Sequence, residues 1–231
     1  MKHVFQKYPD ASRFALAIIL FAFVLFISGV TNRGFIKQYA PYVSCVLLFV
    51  ATWLLYKTEN KTLKAIGLNF SIKNISFLPL GALIGIFALF GAKFLRTLYL
   101  GETFEFTTSI DYSTILYAFY FILPQVATEE FLFRGYLFKK TIEMSNVLVA
   151  NIIFSILFML IHVLDENVMS NRGMLIMLAV SIPVGHLLFA TALLKAKTLF
   201  FPIGIHLGNN WATRHLINSA NDGDSILYIV N

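Results

Sequence analysis

Seven stretches of this chain are apolar almost without interruption, at roughly residues 13–30, 40–56, 77–100, 112–138, 147–164, 173–194 and 198–218. Runs of about 18 or more apolar residues with few charges read as membrane-crossing helices. Polar, turn-rich linkers separate them, among them "KTENKTLKAIGLNFSIKNIS", "GETFEFTTSID" and the short "MSN" and "KAK". The pattern predicts an all-α polytopic transmembrane bundle of about seven spans, built as a single integral-membrane domain over residues 1–231. No internal repeat or low-complexity tract is evident.

Composition reinforces the pattern. The chain is 58% hydrophobic and 13% charged, where soluble domains carry about 25% charged residues. The net charge of +6 does not point to nucleic acid, because the basic residues cluster between the apolar runs as cytoplasmic loop charges do. With the N-terminus inside, the inner segments hold eleven Lys and Arg against three in the outer loops, Arg33, Lys37 and Arg172. That asymmetry favours a cytoplasmic N-terminus. No A-x-A-like cleavage site follows "FISGVTNR", so the first segment reads as a retained span. Cys45, alone in an apolar run, reads as a small buried hydrophobe. Gly81 and Gly85, four apart in "GALIG", read as a helix-packing surface. Lys93 and Arg96, near the outer end of the third span, read as snorkelling cations.

Some residues do not belong in such company. The fourth span carries Glu129, Glu130 and Arg134 in "ATEEFLFRGY", and a charge near the bilayer centre costs at least ~2.5–3.5 kcal/mol. Glu130 and Arg134 are four apart and share a helix face, so they compensate each other. Glu129 points about 100° away from that face. The fifth span brings Phe158 and His162, one turn apart. Treated as a straight hairpin turning at Ser145–Asn146, the fourth and fifth spans place Glu129 and His162 each ~25 Å from the turn. At equal height, a carboxylate and an imidazole can share and activate a water molecule. The seventh segment supplies "FPIGIHLGNNW". Pro202 suits a first helical turn, and His206 and Asn210 then lie four apart as hydrogen-bond donors of the kind a developing oxyanion needs. His186 and His215 read as structural histidines.

E-E-x-x-x-R at 129–134, F-x-x-x-H at 158–162 and H-x-x-x-N at 206–210 together resemble the CPBP intramembrane proteases, the Abi or type II CAAX prenyl endopeptidase family. The resemblance covers about residues 112–215, a catalytic core within the membrane domain. It implies an intramembrane endopeptidase acting on a membrane-associated peptide or protein. Glu129 would be the base that activates water, assisted by His162. His206 and Asn210 would stabilise the oxyanion, and Glu130, Arg134 and Phe158 would brace the site. The flanking "FRG" and Pro202 resemble bacterial members, which implies a bacterial plasma membrane. A zinc site on Glu129, His162 and His206 is the alternative to a metal-free site. The chain has no H-E-x-x-H, and asparagine is an indifferent zinc ligand, so the expectation is no metal and no cofactor. Neither the G-x-S-G of rhomboids nor the G-x-G-D of presenilin-like proteases occurs. Two rival functions remain: an ion-coupled transporter, and a family member acting as a bacteriocin-immunity or scaffold protein without cleavage.

Overall fold

The computed structural model describes residues 7–31 and 39–230. Arg33 and Lys37, two of the three outer-loop charges, lie outside the described residues. The fold is mostly helical. The main helices are α1 (Pro9–Thr31), α2 (Val43–Thr58), α3 (Phe77–Leu100), α4 (Tyr112–Arg134), α5 (Tyr136–Met144), α6 (Val147–Val163), α7 (Arg172–Ala196) and α8 (Phe200–His215). Every apolar segment predicted from the sequence falls on a helix. Among the described residues, three stretches are long and apolar enough to cross a membrane: Pro9–Val30, Ile72–Leu100 and Arg172–Ala196. The helices Val43–Thr58 and Val147–Val163 are apolar but shorter. Pro124 and Pro183 sit inside α4 and α7 without ending either helix.

The fourth segment departs from the expected straight rod. The helix stops at Arg134 and restarts at Tyr136, with Gly135 between them at φ −80°, ψ −134°. A Cβ on Gly135 would lie 2.2 Å from the Phe131 carbonyl oxygen, so only glycine lets the chain turn this tightly. After α5, Asn146 caps α6 by accepting from the Val149 N–H at 2.9 Å, which ends the "MSN" turn as an N-cap should.

The chain divides into two compact units, residues Met1–Asn69 with Thr128–Leu199, and Phe70–Ala127 with Phe200–Asn231. The first unit contains α1, α2, the last turns of α4, α5, α6 and α7. It is tied at one end by a cluster of charges from distant positions. The buried Lys140 ammonium contacts Asp10 at 2.8 Å, Glu59 at 3.0 Å and Glu143 at 3.0 Å. Lys61 pairs with Glu59 at 2.8 Å and Glu143 at 3.1 Å, and the Tyr136 hydroxyl donates to Glu59. The start of α1, the end of α2 and α5 are thereby locked together. Burial alone would raise the Glu59 carboxyl; hydrogen bonds from Lys61, Tyr136 and Lys140 outweigh it and hold the group at about 2.

The second unit is organised around α8. Gly81 and Gly85 of α3 meet Gly204 and Gly208 of α8, a second G-x-x-x-G in "GIHLG". A Cβ on Gly85 would lie 2.1 Å from the Ile205 oxygen, and one on Gly208 2.0 Å from the Ala82 oxygen. Backbones this close exchange dispersion contacts that any side chain would forfeit. Three strands not expected from the sequence close this unit: β1 (Thr103–Phe106), β2 (Ile217–Asn218) and β3 (Leu227–Val230), in the order β1-β3-β2. β1 runs antiparallel to β3, with Thr103 opposite Val230 and Phe106 opposite Leu227.

Two outcomes are expected. Gly208→Ala should destabilise the protein by ~1–3 kcal/mol, the range for overpacking, whereas Gly91→Ala, with nothing within 4 Å of the new methyl, should be neutral or stabilising; thermal unfolding in detergent separates them. Because the Glu59 pKa is depressed from 4.5 to about 2, its stabilising contribution is complete above pH 4.5 and lost as pH falls towards 2. Acid titration of unfolding should therefore show a shallower loss in Glu59→Gln than in the parent.

Candidate active site

In the first unit the Glu130–Arg134 pair forms as its spacing requires. Arg134 Nη1 lies 3.1 Å from Glu130 Oε1, and both side chains are wholly buried. Three aromatic rings surround the guanidinium: its Cζ is 4.1 Å from the Phe158 centroid, 5.1 Å from Phe189 and 5.9 Å from Phe133. A desolvated cation over an aromatic face gains about 2 kcal/mol or more. The buried charge is thus met by one carboxylate and three π-faces drawn from α4, α6 and α7.

Phe158 also governs His162. The His162 Nδ1 lies 2.8 Å from the Phe158 carbonyl oxygen. A carbonyl only accepts, so Nδ1 carries a proton, and this contact selects the tautomer whose lone pair is on Nε2. The two rings meet edge-on at 4.7 Å. One residue therefore holds the arginine with its ring face and sets the tautomer of the histidine with its backbone.

Two aromatic contacts connect the elements that carry Glu129 and His162. Phe138 packs on Phe154 at 5.5 Å, and Phe133 packs on Phe158 at 4.9 Å. Moving backwards along one arm of the hairpin matches moving forwards along the other. Four further residues, about one turn, on each arm reach Glu129 and His162. Gly135 breaks one arm, so the straight rods assumed from sequence do not describe this hairpin; Phe133 against Phe158 is the contact that lies one turn from each residue. Glu129 is half-buried and, with Glu130, acts electrostatically on Arg134.

His186, read from sequence as structural, is wholly buried in this same cluster. Its ring lies 5.7 Å from Phe138 and 6.4 Å from Phe158. No local spacing links it to Arg134; only the packing of α7 brings it there.

In the second unit, α8 starts at Phe200 with Pro202 in its first turn, as expected. Gly204 and Gly208 face α3. His206 and Asn210 are each offset by two residues, about 200°, and project from the opposite side. His206 is buried and Asn210 half-buried. Trp211 holds the rotation of α8: its Nε1 donates to the Ile115 oxygen at 2.9 Å, and its ring stacks on Phe119 at 4.9 Å. His215 accounts for itself locally, its Nδ1 lying 2.8 Å from the Asp224 carbonyl oxygen. Glu129 and His162 thus belong to the first unit, and His206 and Asn210 to the second. Among the described residues, no group of three or more His, Cys, Asp or Glu gathers as a metal site.

The Arg134 cage makes a stability test. Glu130→Gln should cost on the order of 3–5 kcal/mol, because it strips a buried charge of its partner. Replacing both residues with Leu and Met should recover much of that loss, as thermal melts of the two variants will show.

No curated protein and no solved structure matches this chain. Residues 111–212 match the family described as "Type II CAAX prenyl endopeptidase Rce1-like". The matched stretch contains Glu129, Glu130, Arg134, Phe158, His162, His206 and Asn210. Every one of these residues lies in the stretch that is similar to the Rce1-like family of type II CAAX prenyl endopeptidases.

Proposed function

We propose that this chain is an intramembrane endopeptidase that hydrolyses a peptide bond in a membrane-associated peptide or protein. The observation that carries the reading is the contact of Phe133 with Phe158, one turn from Glu129 and one turn from His162. It links the element carrying Glu129 to a histidine whose Nδ1 is committed to the Phe158 carbonyl, and the Rce1-like match spans both. Glu129 takes a proton from water while His162 Nε2 accepts its second hydrogen bond. The water oxygen attacks the scissile carbonyl carbon. His206 and Asn210 donate to the oxygen that becomes negative, and Glu129 passes its proton to the departing amine as the C–N bond breaks. Water is consumed, and a carboxylic acid and an amine result.

The reading places the chain across a bacterial plasma membrane in about seven spans, with a cytoplasmic N-terminus. It requires no metal and no cofactor. Proteolysis, rather than transport or binding alone, agrees with the family match.

Purified protein in detergent should cleave a peptide substrate, and Glu129→Gln should abolish cleavage while leaving the melting temperature nearly unchanged. Retention of full activity by Glu129→Gln would refute the mechanism. Asn210→Ala should lower turnover by ~10²–10³, the effect of losing one oxyanion donor, and exhaustive chelation should spare activity. In a zinc enzyme built on Glu129, His162 and His206, chelation would abolish activity, zinc would restore it, and Asn210→Ala would matter less.

A further inference from the structure

Lined by none of the candidate catalytic residues, a cavity of about 490 Å³ lies in the second unit beside the end of α3. Lys93 and Arg96 line one side; Glu102, Thr213, Asn218 and Ser219 line the others. From sequence the two cations read only as snorkelling side chains. Their surroundings assign them more.

Each cation is anchored with donors left over. Arg96 Nη1 and Nη2 give one hydrogen bond each to Glu102, at 2.7 and 3.1 Å. A guanidinium has five N–H donors, so three remain. Lys93 Nζ donates to the carbonyls of Thr213 and Ile217, leaving one of its three N–H groups. The Glu102 carboxylate is engaged by Arg96, and Asn218 Oδ1 accepts from the Ser219 N–H. The cavity therefore offers two cations against one carboxylate, with about four cationic N–H groups left for a ligand. It is built for an anion with several acceptor oxygens.

Position identifies the source of that anion. α3 has 24 residues, or ~36 Å of helix at 1.5 Å per residue, against a hydrocarbon core of ~30 Å. When it is centred, its C-terminal end reaches the edge of the core, where the long side chains of Lys93 and Arg96 can extend to headgroup level. Leu95, Leu98 and Tyr99 on the adjoining face of α3 are exposed and supply an apolar surface for acyl chains. We infer that this cavity binds the phosphate of a phospholipid headgroup, with Arg96 as its principal ligand. The site is independent of the proteolytic reading.

The test uses the full-length chain in detergent, with melting temperature followed against added short-chain phosphatidylglycerol, the matching diacylglycerol without phosphate, and inorganic phosphate. Phosphatidylglycerol should raise the melting temperature in a saturable manner, and neither control should do so at equal concentration. Arg96→Gln should raise the half-saturating concentration about tenfold or more, the weight of one charge-assisted hydrogen bond. Glu102→Gln releases the guanidinium and should lower that concentration. The opposite signs separate ligand binding from a general loss of fold. Equal stabilisation by diacylglycerol, or an unchanged response in Arg96→Gln, would overturn the site. Equal stabilisation by inorganic phosphate would overturn the lipid as its occupant.

Discussion

A guanidinium buried without exposure in the first unit must be compensated where it stands, and much of that unit is arranged to do so. Arg134 receives a carboxylate from one turn earlier in its own helix. Glu129 adds to it electrostatically, and Phe133, Phe158 and Phe189 on α4, α6 and α7 supply ring faces. The charge therefore holds three helices in a particular arrangement, because any of them moving away would leave it less well solvated. Phe158 extends this constraint to chemistry. The ring that covers Arg134 belongs to the residue whose carbonyl orients His162. In the proposed mechanism, a structural ion pair and a water-activating histidine are thus coupled through one phenylalanine.

The second unit meets a different demand by different means. Its α8 carries His206 and Asn210 and must present one particular face. Close glycine contact on the α3 side and the Trp211 indole bond to Ile115 on the α4 side leave it little freedom to rotate or slide. A site built on helices supported in this way loses little precision to side-chain motion. The proposed oxyanion donors owe their placement to residues with no chemistry of their own.

Both units also show how polar groups are managed at the ends of apolar helices. Lys140 is buried but faces three carboxylates. Lys93 and Arg96 are each anchored by oxygen acceptors, yet keep cationic N–H groups for a ligand. The first arrangement is closed and serves stability. The second is open to an anion, which is the physical basis for assigning it a ligand.

The sequence by itself determined what depends on periodicity and local chemistry. It determined the apolar helices, the Glu130–Arg134 pair at a four-residue spacing, the Asn146 turn, the packing character of Gly81 and Gly85, and a family resemblance that the match over 111–212 bears out. These are legible because a helix brings residues three and four apart together whatever surrounds it. Other features had no local signature. The break at Gly135 depends on how closely the chain folds over Phe131, and an isolated glycine in an apolar run does not announce it. β1 pairs with β3 across more than a hundred intervening residues, and short strands in a polar linker carry too little pattern to be seen. The Lys140 cluster gathers positions 10, 59 and 143, and the Arg134 cage recruits Phe158 and Phe189 from other helices. Only the tertiary structure decided these, because solvation of a buried charge and contact between two backbones are set by what arrives in space, not by what neighbours in sequence.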